Sequence, residues 1–100
     1  MIARHWRALA RVERAHEYVV HFQQSTLPEL RTLPGFLDAT IQRRDTYQGV
    51  EFVVITRWVS AEAVRAFSSG SDVEVAIVPP EVREMMLEYD LHARHYRVIE

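Results

Sequence analysis

The side chains best suited to chemistry in this 100-residue chain are its five histidines and its ten phenylalanine, tryptophan and tyrosine residues. His92 and His95 lie three residues apart in a predicted strand, so their side chains point to opposite faces. His16 and His21 lie five residues apart in a predicted helix and are rotated by about 140° around its axis. A metal site needs several converging ligands. The sequence therefore predicts no metal site.

The composition excludes several classes of chemistry. The chain has no cysteine, which excludes disulfides, thiolate nucleophiles and cysteine ligands to zinc or to iron–sulfur clusters. It has no lysine, which excludes a Schiff-base mechanism. The formal net charge of −2 argues against a protein that coats nucleic acid or an anionic membrane. We therefore expect neither nucleic acid nor a membrane among its partners.

The chain is expected to form one domain over residues 1–100, in the cytoplasm. No repeat or linker divides it, and 48% of its residues are hydrophobic, which suffices for one modest core. No apolar run approaches the roughly 20 residues of a membrane span. Arg4, Arg7 and Arg11 interrupt the N-terminal segment, which is unlike the continuous apolar stretch of a signal peptide.

Hydrophobic periodicity predicts a ferredoxin-like α+β fold. Strand patterns cover residues 2–12, 36–43, 50–59 and 91–99, and helix patterns cover residues 13–25, 61–67 and 79–89. We expect Pro28 to interrupt the first helix and Thr26 to cap a further turn that begins there. We expect Ser60 to cap the second helix, residues 68–71 to end it, and residues 72–77 to add a turn. This order of elements is the split βαβ arrangement, a four-stranded antiparallel sheet with helices on one face.

The third predicted strand is apolar on both of its faces. One face carries Val50, Phe52, Val54, Thr56 and Trp58, and the other carries Glu51, Val53, Ile55, Arg57 and Val59. Helices on one side of the sheet cover only one face, and an exposed apolar patch is typical of an interface. We therefore expect a homodimer with the two sheets face to face, in which Glu51 and Arg57 can pair across the interface. The alternative is a monomer whose C-terminal segment folds over the sheet.

Four segments resemble one known family. They are MIARHWR at residues 1–7, LPGF at 33–36, WVSAEAVRAF at 58–67 and HYRV at 95–98. Together they resemble the antibiotic biosynthesis monooxygenase family, and the resemblance extends over nearly the whole chain. It implies a dimeric ferredoxin-like domain. Characterised members of that family oxygenate phenolic polyketides and quinols without metal or flavin, and other members degrade haem.

The family's functional residues match this chain only in part. The tryptophan at the end of the family's third strand corresponds to Trp58. The asparagine that the oxygenases and haem degraders use has no counterpart, because the chain contains no asparagine. The first-strand asparagine of the haem degraders falls near His5 or Trp6, and their iron-ligating histidine falls near Val78. The resemblance therefore implies a cofactor-free monooxygenase acting on a small electron-rich aromatic of the phenol, hydroquinone or polyketide type, rather than a haem degrader.

A cofactor-free oxygenase needs a base, because a phenolate gives an electron to oxygen far more readily than a neutral phenol. Histidine suits that task near neutral pH, and His95 and His21 are the candidates. The residues expected to contact an aromatic substrate are Trp58, Trp6, Phe22 and Phe67.

Two other functions remain open at the level of sequence. One is a non-catalytic homodimer that binds a small aromatic metabolite or a protein partner, which the missing asparagine favours. The other is an RNA-recognition module, which has the same topology. Such a module needs exposed aromatic and basic side chains on its third strand to bind RNA. In this chain Val50 and Glu51 stand at positions where aromatic or basic residues would be useful, which disfavours RNA binding.

Overall fold

The computed structural model describes residues 1–67 and 74–99, so the predicted end of the second helix at 68–71 lies outside the described residues. The strands are β1 (Ile2–Ala10), β2 (Phe36–Asp45), β3 (Val50–Trp58), β4 (Met86–Tyr89) and β5 (Arg94–Arg97). The α-helices are α1 (Ala15–His21), α2 (Leu27–Leu30), α3 (Ala61–Phe67) and α4 (Pro80–Arg83), with a 3₁₀ turn at Val12–Arg14 and a π turn at Phe22–Thr26.

The strands form one antiparallel sheet in the order β2-β3-β1-β4, and β5 also pairs with β1. Strand β1 pairs with β3 along its whole length, from Ile2 opposite Trp58 to Ala10 opposite Val50. The other edge of β1 is shared, because β4 pairs with its C-terminal end and β5 with its N-terminal end. The ferredoxin-like fold with helices on one face is thus confirmed, and two short strands fill the position predicted for the fourth strand.

The prediction of a helix through residue 89 is wrong. Helix α4 ends at Arg83, and Met86–Tyr89 form β4. Met86 and Tyr89 face Ala10 and Ala8 of β1, so both side chains reach the core from a strand as they would from a helix. Pairing also satisfies backbone groups of β1 that a helix would leave unbonded. Residues 72 and 73 of the expected turn lie outside the described residues, Glu74 lies in a turn, and Val75 then forms a bridge with His92.

The helical segment after β1 changes its geometry before Pro28 and resumes as a short α-helix that contains the proline. It runs from α1 through the π turn into α2, which contains the proline in its first turn. The Leu27 N–H donates to the Phe22 carbonyl, five residues back, as in a π-helix. A proline has no N–H and its ring crowds the carbonyl four residues earlier, and the wider turn accommodates both effects. The regular α-helix is thus interrupted before Pro28, as predicted, and a further turn follows with Thr26 at its N-cap, although the Thr26 side chain makes no capping hydrogen bond.

The two faces of β3 have different surroundings. The helix-facing side chains, Val50, Phe52, Val54, Thr56 and Trp58, are all buried. On the open face, Val53 and Ile55 are half-buried and Arg57 is exposed. The charges predicted to pair between subunits have partners within the chain: Glu51 binds Arg7 and Arg44, and Arg57 binds Asp38 with an Nε···Oδ1 distance of 2.8 Å. Neighbouring strands β1 and β2 supply the partners, which single-strand periodicity does not reveal.

None of the helices that the structure describes is long and apolar enough to cross a membrane.

Candidate functional site

A cavity of about 120 Å³ lies between the helix-facing side of the sheet and the helical segment. Its floor consists of adjacent positions on β1 and β3, namely Arg4, Trp6, Val54 and Thr56. All four point to the same side because side chains two residues apart share a face of a strand. The register places Arg4 opposite Thr56 and Trp6 opposite Val54, so two polar and two apolar side chains form the floor.

The helical segment supplies one wall through its α1 end and the π turn. His21, Phe22 and Thr26 line the cavity, and Phe22 is almost completely buried. Three of the wall positions therefore fall at or within the wide turn caused by the proline. π turns inside helices recur at functional sites, because they direct side chains that a regular helix would place elsewhere.

The opposite wall comes from the residues directly before α4 and from Phe67 at the end of α3. Residues 75–79 line the cavity, and the Ala76 N–H donates to the Leu91 carbonyl at 2.9 Å. Helix α3 begins after Ser60, whose Oγ accepts a hydrogen bond from the Ala63 N–H at 3.3 Å, which confirms the predicted cap. This cap fixes the direction of the helix that carries Phe67.

Arg4 is the cation of the cavity. Its guanidinium lies over the Phe67 ring, 5.1 Å from the ring centre. Its Nε is buried without a hydrogen-bond partner, and none of the ion pairs formed by the described residues includes it. Burial lowers the pKa of Arg4, and no carboxylate contributes to that shift. The cavity therefore holds a positive charge that no acid of the described chain neutralises.

His95 lies beside Arg4 rather than in the cavity wall. The β1–β5 register places the two residues opposite each other, and both ring nitrogens of His95 are buried without a partner. Burial lowers the pKa of His95, the Arg4 charge lowers it further, and Glu74 opposes the shift. The imidazole is therefore neutral at neutral pH and able to accept a proton.

Trp58 supports the floor of the cavity from behind. It is fully buried, and its indole N–H donates to the Thr56 Oγ1 at 2.9 Å. Its ring centre lies 5.4 Å from that of Phe67. Trp58 thus contacts two residues that line the cavity, although it is not itself a lining residue.

The structure brings most of the predicted site residues together. Trp6, Phe22, Phe67 and His21 line one cavity, and Trp58 and His95 lie directly next to it. Sequence reasoning missed Arg4 and Thr56. A signal for Arg4 was present, since it alternates with Ile2 and Trp6 on one face of β1. Among the described residues, no three histidine or carboxylate side chains come together as metal ligands would.

Known structures share the fold at low sequence identity. The heme-degrader MhuD of Mycobacterium tuberculosis, solved with two hemes bound in its active site, is 17% identical with a TM-score of 0.66, and the alignment covers 100% of this chain and 97% of that one. The monooxygenase from the ActVA-Orf6 gene of Streptomyces coelicolor, in complex with nanaomycin D, is 19% identical with a TM-score of 0.64, and the alignment covers 99% of this chain and 88% of that one. These likenesses establish the fold.

No curated protein matches the chain in sequence. The family model for antibiotic biosynthesis monooxygenases matches residues 1–78, which include β1, the helical segment, β2, β3 and most of the cavity. The match extends over more than three quarters of the chain, and the chain therefore belongs to the antibiotic biosynthesis monooxygenase family.

Proposed function

We propose that this protein is a cofactor-independent monooxygenase of a small electron-rich aromatic, a phenol or a hydroquinone. The observation that carries the proposal is the cavity itself, in which the rings of Trp6, Phe22 and Phe67 surround a space next to His21. Aromatic walls bind a flat ring by stacking and edge contacts. A histidine in the wall is placed to take a proton from a hydroxyl group of that ring.

The size of the cavity favours a substrate with a single ring. An apolar protein cavity of about 150 Å³ admits benzene, and this cavity measures about 120 Å³. A single ring fits within this volume, whereas a fused polycyclic substrate would extend out through the open side of the cavity. We therefore place monocyclic hydroquinones ahead of polyketides as substrates.

The proposed reaction needs no external reductant. Removal of the hydroxyl proton gives a phenolate, which transfers an electron to O₂, and the resulting radical pair combines at a ring carbon. One oxygen atom stays on the ring and the other leaves as water, so a hydroquinone and O₂ give a hydroxylated quinone and one water. The substrate supplies all four electrons. His21, which lines the cavity, is the first candidate for the base, and His95, beside Arg4, is the second.

Oxygen consumption by the purified protein tests this proposal. We expect uptake with a panel of hydroquinones and anthrone-type compounds, fastest for the monocyclic members. His21→Ala should slow turnover by about 10²-fold or more, while His16→Ala, an exposed histidine of the same helix, should not. Unchanged turnover in His21→Ala and in His95→Ala would dismiss each histidine as the base. No oxygen uptake with any member of the panel would overturn the proposal.

The second candidate is a non-catalytic domain that binds a small aromatic metabolite or a protein partner through the same cavity. The complete lack of asparagine favours it, since the family's oxygenases use that residue. Binding of the panel compounds without oxygen uptake would establish this alternative.

We also propose that the protein acts as a homodimer, with the open faces of two sheets in contact. Val53 and Ile55 lie at the centre of that face, and its charges are already paired within each chain, which lowers the cost of covering them. Family members are typically dimeric. Light scattering should give twice the mass of the chain at micromolar concentration. Ile55→Asp should give a monomer, while Val12→Asp, an exposed apolar residue elsewhere, should not. A monomeric wild type would refute this arrangement.

A further inference from the structure

Three polar side chains form a row across the sheet beside the cavity. Thr56 of β3 faces Arg4 of β1, and Arg4 faces His95 of β5. All three lie on the helix-facing side, where directly opposed residues have Cβ atoms about 4.5–5.5 Å apart. The row places a hydroxyl group, a guanidinium and an imidazole next to one another at the side of a mostly apolar cavity.

The centre of this row lacks a negative charge. A buried cation is costly unless it is paired, and Arg4 has a buried Nε without a partner. Its stacking on Phe67 holds the guanidinium in place but does not neutralise it. The ring nitrogens of His95 are unpartnered as well, and Glu74 acts on the imidazole through its charge without a hydrogen bond to either nitrogen.

We propose that the row binds the carboxylate of a small aromatic acid whose ring occupies the cavity. The guanidinium presents a planar fork of N–H donors that matches the two oxygens of a carboxylate. A carboxylate is ionised at neutral pH, so it neutralises Arg4 on arrival, whereas an ordinary phenol arrives uncharged. The inference rests on the proposed site, but it requires only binding and not oxygenation.

Thr56 gives the row a directed hydrogen bond. Its Oγ1 accepts the Trp58 indole N–H, so its own hydroxyl hydrogen is directed away from Trp58. That hydrogen has no acceptor among the hydrogen bonds of the described residues, and Thr56 lines the cavity. Thr56 thus donates to a ligand oxygen beside Arg4, and Trp58 acts as the positioning residue for this contact.

Titration calorimetry with matched ligands tests the inference. The probes are 4-hydroxybenzoate, its neutral analogue 4-hydroxybenzamide, and 4-nitrophenol, which carries its charge as a phenolate. We expect the benzoate to bind at least about tenfold more tightly than the amide. Arg4→Met should abolish this preference, Arg4→Lys should keep part of it, and Arg14→Met should leave it unchanged. Arg14 is a suitable control because it pairs with Glu17 at the surface.

Each alternative outcome contradicts a specific step. A preference for benzoate that survives Arg4→Met places the anion elsewhere. If 4-nitrophenolate binds as tightly as 4-hydroxybenzoate, the row binds a phenolate oxygen and does not select a carboxylate. Equal binding of benzoate and amide, or no binding of either, removes the anion site. Oxygen uptake plays no part in these measurements, so failure of the proposed oxygenation and failure of this inference are distinguishable.

Thermal unfolding of the ligand-free protein gives a second readout. Arg4 is half-buried with an unpartnered Nε, and an apolar side chain of similar length removes that unfavourable burial, so Arg4→Met should melt at or above the temperature of the wild type. Added 4-hydroxybenzoate should raise the melting temperature of the wild type but not of Arg4→Met. A large loss of stability in Arg4→Met would give Arg4 a structural role and overturn the inference.

Discussion

The hydrogen bond between Trp58 and Thr56 connects the core to the candidate site and can be measured by a double-mutant cycle. Thr56→Val keeps the side-chain volume but leaves the buried indole N–H without its acceptor, which should cost about 1–3 kcal/mol of unfolding free energy. Trp58→Phe removes the donor and part of a fully buried ring, and should cost about 2–3 kcal/mol. In the double variant no N–H remains to be left unpaired, so its loss should be smaller than the sum by about 1–2 kcal/mol.

The assay is denaturant unfolding of the wild type, the two single variants and the double variant, with thermal melting as a second probe. In a domain of this size each 1 kcal/mol corresponds to about 4–8 °C in melting temperature. Both single variants should also bind 4-hydroxybenzoate more weakly, because the directed Thr56 donor is lost or disordered. Free-energy changes that add within about 0.5 kcal/mol would refute the claim that the two side chains act as a unit.

Three further predictions concern stability. Gly49→Ala should destabilise the fold strongly, because a Cβ there would lie 2.4 Å from a carbonyl oxygen of β1; normal unfolding curves would contradict this. The hydrogen bond from Arg7 lowers the pKa of Glu51 in the folded state, so the ionised Glu51 stabilises the fold above about pH 4.5 and this stabilisation is lost on acidification. In Glu51→Gln the melting temperature should therefore fall less steeply as the pH is lowered. Burial lowers the pKa of His95 in the folded state, so on acidification the histidine is protonated in the unfolded chain before it is protonated in the folded one. The free energy of unfolding should therefore fall as the pH drops below about 6.5. His95→Gln should remove this loss of stability, as measured by denaturant unfolding at a series of pH values. If the loss persists in His95→Gln, another group causes it.

The strands could be predicted from sequence where the alternation of apolar and polar residues was sufficient to identify them. Alternation along β3 separates Phe52 and Val54 from Val53 and Ile55, and the structure buries the first pair more completely than the second. The helix predicted over 79–89 was extended too far, because the apolar spacing of its second half suits a helix and a strand equally well. What decided it was the free edge of β1, which is a property of the assembled sheet.

The cavity could be predicted only in part, because its polar members depend on partners that are distant in sequence. The alternation in β1 already placed Arg4 on the same face as Trp6. It did not indicate that no carboxylate would meet Arg4 there, whereas Glu51 and Arg57 on the other face find partners on adjacent strands. An inward-facing arginine on an apolar strand face is a signal that is worth following in related sequences, since burial without a partner is rarely tolerated without a function.

The row of Thr56, Arg4 and His95 exists only because the register of the sheet is fixed. A slip of β1 by one residue would turn Arg4 to the open face and would turn Trp6 away from the core. The apolar side chains of β3 prevent this slip, because their burial depends on the same register that brings Arg4 opposite Thr56. The hydrophobic pattern that specifies the fold therefore also positions the cation of the cavity. For this reason, substitutions in the core of β3 that loosen the register should impair anion binding even where they touch no ligand.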